Sequence, residues 1–151
     1  MNKECVGFVR ENKAAIIDRW HQVVLAYFPG KMHNNTPLAG ALLDILGEVL
    51  DSFSGSEGAR SDALSKITRV LAVQDLPPSK AMSLFFDLKA ILRATASGKL
   101  QQKQWDAMQT DMEHLTLEAF DSYMAHREKI YQLKVEESKR QTFMMSRRTR
   151  A

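Results

Sequence analysis

The sequence predicts an all-α protein. Apolar residues recur at spacings of three and four through almost every segment, which is the repeat of a helix with one buried face. Nowhere do four or more residues alternate between apolar and polar as a half-buried strand requires. The last third, from Gln101 to about Arg140, contains neither Gly nor Pro, so nothing in it breaks a long helix. About five helices are expected, packed as a bundle, either up-and-down or in a globin-like sandwich.

The first helix is expected from about Asn2 to Tyr27, with Phe8, Ile16, Ile17, Trp20, Val23, Val24 and Tyr27 on one face and Pro29-Gly30 as its stop. Thr36-Pro37 starts the second: the hydroxyl can accept an orphan backbone N–H, and Pro suits a first turn that has no partner for one. Leu38, Leu42, Ile45, Leu46, Val49, Leu50 and Phe53 follow at helical spacing, and the stretch Ser54–Gly58 interrupts them. A short third helix carries Leu64, Ile67, Val70 and Leu71. Pro77-Pro78 forces a break, because a proline disfavours helix at the residue before it. Met82, Phe85, Leu88, Ile91, Leu92 and Thr95 make a fourth helix, closed by Ser97-Gly98. The fifth holds the seam Trp105, Met108, Met112, Leu115, Ala119, Ser122, His126, Ile130 and Leu133. Beyond Leu133 the seam meets Glu137 and Arg140, which do not belong in a core. The helix should therefore outrun the body.

At 151 residues the chain is one domain, long enough to bury roughly 70% of its unfolded surface. That domain is expected over residues 1–138, with 139–151 a basic tail. Lys139, Arg140, Arg147, Arg148 and Arg150 bring five positive charges and no acid to that tail. Removing them from the net +3 leaves −2 for residues 1–137, so the body is slightly acidic and nucleic-acid binding is not indicated. The longest apolar run, Val23–Phe28, is far shorter than a membrane span. The N-terminus lacks the apolar stretch of a signal peptide, and a single cysteine, Cys5, precludes an internal disulfide. A cytoplasmic protein without membrane attachment is expected.

The chemistry-bearing residues are few. Asp18-x-x-His21 and Asp111-x-x-His114 resemble the spacing of helical di-metal sites, but at ~100° per residue both pairs fall off the apolar faces, and a solvated surface is the reading. His126 lies on the seam of the last helix, as a hydrogen-bonded core histidine or, alternatively, as the polar contact of a haem or a small apolar ligand. Arg69, Gln74 and Asp75 flank the Pro77-Pro78 turn, as an Arg69–Asp75 pair pinning the loop or as the lining of a small pocket. Trp20, Trp105, Met82, Met108, Met112 and Met124 read as packing. Tyr131, Leu133, Phe143 and Met144 lie at or beyond the expected end of the core and point to contact with another chain. No phosphate-binding loop, nucleophile elbow or acid–base pair is present. No cofactor and no catalytic residue are expected.

Three stretches carry a family resemblance: Trp20–Pro29 (WHQVVLAYFP), Arg69–Ala81 (RVLAVQDLPPSKA) and Ala119–Tyr131 (AFDSYMAHREKIY). In this order they resemble the RsbRD-type N-terminal domain of RsbT co-antagonists, a bacterial stress-signalling family, over residues 8 to 140. The resemblance implies an all-helical sensory or regulatory input module that is not an enzyme. Related domains have a globin-like fold that lacks haem, and they dimerise. It transfers no catalytic residue. Two departures matter. Pro77 stands where a Ser or Thr helix cap would be expected. The chain also stops soon after Glu137, where relatives lead into an output domain, so output is expected to pass through a homodimer or a separate protein partner. The alternative function is a globin-like sensor holding haem or a small apolar ligand in its core.

Overall fold

The computed structural model describes residues 3–28 and 36–150. Among them are six α-helices, one 3-10 turn and no strand. The helices are α1 (Lys3–Glu11), α2 (Lys13–Ala26), α3 (Pro37–Asp51), α4 (Glu57–Val73), α5 (Pro78–Ala96) and α6 (Gln102–Arg150), with the 3-10 turn at Ser52–Ser54. The all-helical class and the long last helix are as the sequence predicts, and the expected count of about five becomes six. The expected start at Asn2 and the stop at Pro29-Gly30 lie outside the described residues.

The extra helix comes from Asn12. Its Nδ2 donates to the carbonyl of Phe8 at 2.9 Å, and its backbone sits at φ −108°, ψ 12°, outside the helical region. An Asn side chain that bonds its own local backbone competes with the helical ladder, so the expected single first helix splits into α1 and α2. Two further boundaries shift. Ser56 caps α4 by accepting from the N–H of Ala59, so Glu57 and Gly58 belong to a helix of 17 residues rather than to the break before a short one. Phe53 falls in the 3-10 turn, not on α3.

Other ends are as expected. Thr36 accepts from the N–H of Ala39 at 3.1 Å, with Pro37 in the first turn of α3. Pro77 offers α5 no side-chain cap, and Pro78 occupies its first turn. Gly98, at φ +77°, follows the end of α5, a left-handed conformation that costs a glycine little.

In the packing, α6 lies against both α4 and α5, while α2 packs on α5 and α3, and α3 on α4; α1 touches α6 and α2. Trp20, fully buried, donates its indole N–H to the carbonyl of Leu84 at 3.0 Å. Its ring meets Phe85 edge-on at 6.4 Å. Satisfying the one polar atom of so large a side chain is what lets it sit at the centre of the core. From α6, Trp105, Met108, Met112, Leu115, Ala119 and Tyr123 enter that core. Burial then fades, with Ile130 partly covered and Leu133 exposed. The seam therefore ends a turn earlier than the sequence suggests, because among the described residues α6 is exposed from Tyr131 onward.

No helix among the described residues is long and apolar enough to cross a membrane.

Candidate functional site

The seam between α4 and α6 is fastened by polar side chains at nearly every turn. Arg60 donates from Nε to Glu118 at 2.9 Å. Thr68 gives its single hydroxyl proton to the carbonyl of Leu64 at 2.6 Å, so the 2.8 Å contact with Ser122 has Ser122 as donor. His126 follows one turn on, half-buried, with Nε2 3.0 Å from the carbonyl of Ser65 and 3.2 Å from its hydroxyl. Glu118, Ser122 and His126 are four residues apart, so they line one side of α6. The carbonyl of Ser65 can only accept, which commits Nε2 of His126 to carrying its proton and donating. The ring nitrogen that reaches into the fold is thus not available as an axial ligand, and the histidine is a hydrogen-bonded member of the seam.

The final fastening is Arg127. It donates to the carbonyl of Ala72 at 3.0 Å and pairs with the Asp75 carboxylate at 2.6 Å. Asp75 has φ +59°, a left-handed backbone that Asp tolerates better than most residues. The expected Arg69–Asp75 pair is therefore replaced by Arg127–Asp75, and the pin runs between α4 and α6 rather than within the loop. Arg69 is exposed on α4, and Gln74 is the exposed residue that follows the end of that helix. Arg69, Gln74 and Asp75 do not converge on a pocket. Beside them Tyr123, fully buried, donates its hydroxyl to the carbonyl of Leu76. Burial pushes its pKa up; Arg127 pulls it down and Asp75 raises it, both by less.

Sequence reasoning missed Arg127, Tyr123, Ser65 and Thr68. The signal for Tyr123 was its place next to Ser122 on an apolar stripe. For Arg127 it was the four-residue step from Tyr123.

His21 requires a second correction. It is buried, with Nε2 2.8 Å from the carbonyl of Ala39, because α3 covers the side of α2 that its own apolar face does not define. Asp18 and His114 are exposed, as their helical phase predicts, whereas Asp111 is half-buried. Among the described residues no three His, Cys, Asp or Glu side chains come together as a metal site. Cys5 is buried, with its thiol pKa pushed up by desolvation first and by Asp111 and Glu4 after it, the opposite of what a reactive thiolate needs.

Past Ile130 the helix leaves the body. Its 49 residues span roughly 73 Å at 1.5 Å per residue. The stretch 131–149 is exposed throughout, including Tyr131, Leu133, Val135, Phe143, Met144 and Met145. All four apolar residues singled out in the sequence as partner contacts thus lie on this projection. The helix continues through residues 139–150 without a boundary at 138. Nearer the body, Leu117 and Phe86 of α5 flank an almost wholly apolar notch whose floor includes Phe85 and Met112.

No model of a known protein family matches the chain, and no solved structure matches it. An uncharacterized protein of Archaeoglobus fulgidus is 27% identical over 139 residues, a span that covers 89% of each chain.

Proposed function

We propose that this chain is a non-enzymatic signalling module of the input type, acting in the cytoplasm through a homodimer and a protein partner, with α6 as the element that makes the contact. The observation that carries this is the projection. A helix that leaves its own body and still carries six large exposed apolar residues over 131–149 presents more apolar surface than a solitary rod in water needs. The polar fastenings from Glu118 to Arg127 support the reading, since they fix the angle at which the rod leaves the body. A conformational bias in α4 or the Asp75 loop would then reach the far end of α6 through a stiff lever. The likeness to the RsbRD-type input domain supports the same reading, and with it a globin-like arrangement of the helices.

Light scattering on the whole chain, beside a chain truncated after Leu133, tests the proposal. Residues 134–149 are exposed, so the truncated body is expected to keep its helical fold and melting temperature. The intact chain should have the mass of a dimer, and the truncated chain a lower mass or a dimer that dissociates at lower dilution. A monomer whose mass per chain is indifferent to the deletion overturns it.

A further inference from the structure

The outward side of α6 carries a second stripe, distinct from the one that packs on the body. Leu117, Met124, Tyr131, Ser138 and Met145 fall at every seventh residue, about 120° round the helix from the core seam. Four of them are large apolar residues exposed by 65, 41, 70 and 68%, and Ser138 is exposed as well. Phe120 and Val135 widen the stripe and are also exposed. A residue at every seventh position returns to within about 20° of the same side of a helix, so these residues form one continuous face along the rod.

The charges on the same helix specify direction. Between Gln104 and His126 there are five acids (Asp106, Asp111, Glu113, Glu118, Asp121) and no Lys or Arg. Residues 138–150 hold five bases and no acid. Asp106, Glu113 and Asp121 are exposed, and so are Lys139, Arg140, Arg147 and Arg148. Two copies lying parallel and in register would set acids against acids and bases against bases. Two copies lying antiparallel about Tyr131 set residue 117 beside 145 and residue 124 beside 138. The basic end of each then runs along the acidic stretch of the other.

We propose that the partner of this stripe is a second copy of the chain, its α6 antiparallel and centred near Tyr131. Met145 of each copy then sits beside Leu117 of the other, at the apolar notch that Phe86 and Leu117 border. Each projecting end is covered by the other molecule's body, so the pairing occupies both the rod and the face from which it springs. This rests on the dimer proposed above and adds its geometry.

Single cysteines test it in the full chain, because Cys5 is fully buried and the unsubstituted protein reports any background. Met124→Cys and Ser138→Cys proteins are treated, separately and mixed, with a bismaleimide of about 8 Å reach. In the antiparallel pair, two Met124→Cys sites lie roughly 21 Å apart along the axis, fourteen residues at 1.5 Å each. The expected result is a covalent dimer in the mixture and none from Met124→Cys alone. Self-linking of Met124→Cys, with a dimeric mass, overturns the antiparallel geometry and leaves the dimer standing. A dimeric mass with no linkage in any arm overturns the stripe as the interface. A monomeric mass overturns both proposals. As a second readout, the double reversal Lys139→Glu, Arg148→Glu, both on exposed sites and free of the contacts that Arg140 and Arg147 make within the helix, should weaken dimerisation about tenfold, by the usual worth of surface ion pairs summed over both copies. A dimer equally tight after that reversal removes the charge argument and the antiparallel assignment with it.

Discussion

One helix lives in two environments here. From Trp105 to Ile130, α6 is held by apolar burial against α4 and α5 and by the polar fastenings from Arg60–Glu118 to Arg127–Asp75. From Tyr131 onward the side-chain contacts among the described residues lie within the helix itself. Glu137 pairs with Arg140 at 3.2 Å, and Arg147 lies 5.9 Å from the centre of the Phe143 ring. Such pairs are worth a few tenths of a kcal/mol each, and a 20-residue helix alone in water is marginal. The embedded half is therefore stabilised by the fold, while the projecting half has the composition of a helix that waits for a partner. Helical propensity runs unbroken through both halves, so propensity does not distinguish them.

Deleting apolar volume in each half separates the two environments most sharply. Met108→Ala, at a fully buried site, should lower stability by about 2–5 kcal/mol, the range for large-to-small core substitutions. Met144→Ala, exposed, should change the stability of the folded body by less than about 0.5 kcal/mol. Chemical denaturation of both variants measures the contrast, and similar losses in the two would end the distinction between the halves.

A smaller effect probes the point where the rod leaves the body. Tyr123→Phe removes the hydroxyl that the carbonyl of Leu76 accepts from, with an expected loss of about 0.5–1.5 kcal/mol, the net worth of one such hydrogen bond. The same denaturation curves report it, and an unchanged midpoint would remove Tyr123 from the fastening.

The smallest expected effect is a pH dependence confined to the embedded part. Burial holds the Tyr123 phenol neutral above its ordinary value near 10. Tyr27 is shifted the same way, by burial first and then by its 2.6 Å hydrogen bond to Asp87. In the unfolded chain these phenols ionise first, so the folded state holds the extra protons. Stability should be fully present below about pH 10 and fall as the pH rises past it. Melting temperatures taken from pH 8 to 11 would follow this, and Tyr123→Phe should flatten the decline; a variant that declines as steeply as the parent places the sensitivity elsewhere.

What could be read in advance follows the range of the interactions involved. Thr36 sets a helix end by a bond to a neighbour in sequence, and Pro37, Pro78 and Gly98 by their own backbone preferences, so those ends lie where the local chemistry puts them. Asn12 also acts locally, but its effect depends on whether its amide bonds to Phe8 or to solvent, and the residue type alone leaves that open. The site residues were harder. His126 was legible as a seam histidine, while its partner Ser65 is 61 positions away. Asp75 is legible as a loop acid, but its cation is not Arg69, six residues before it, and stands at Arg127 instead.

The periodicity of three and four determined the all-helical class, the long last helix and the apolar seam along it, since each of these depends only on which residues recur along one face. Tertiary structure alone decided where that seam stops being covered, which side of α2 His21 faces, and which base answers Asp75. Those outcomes depend on how far α3 and α4 reach over their neighbours. A repeat confined to one helix carries no information about the length of the helices packed beside it.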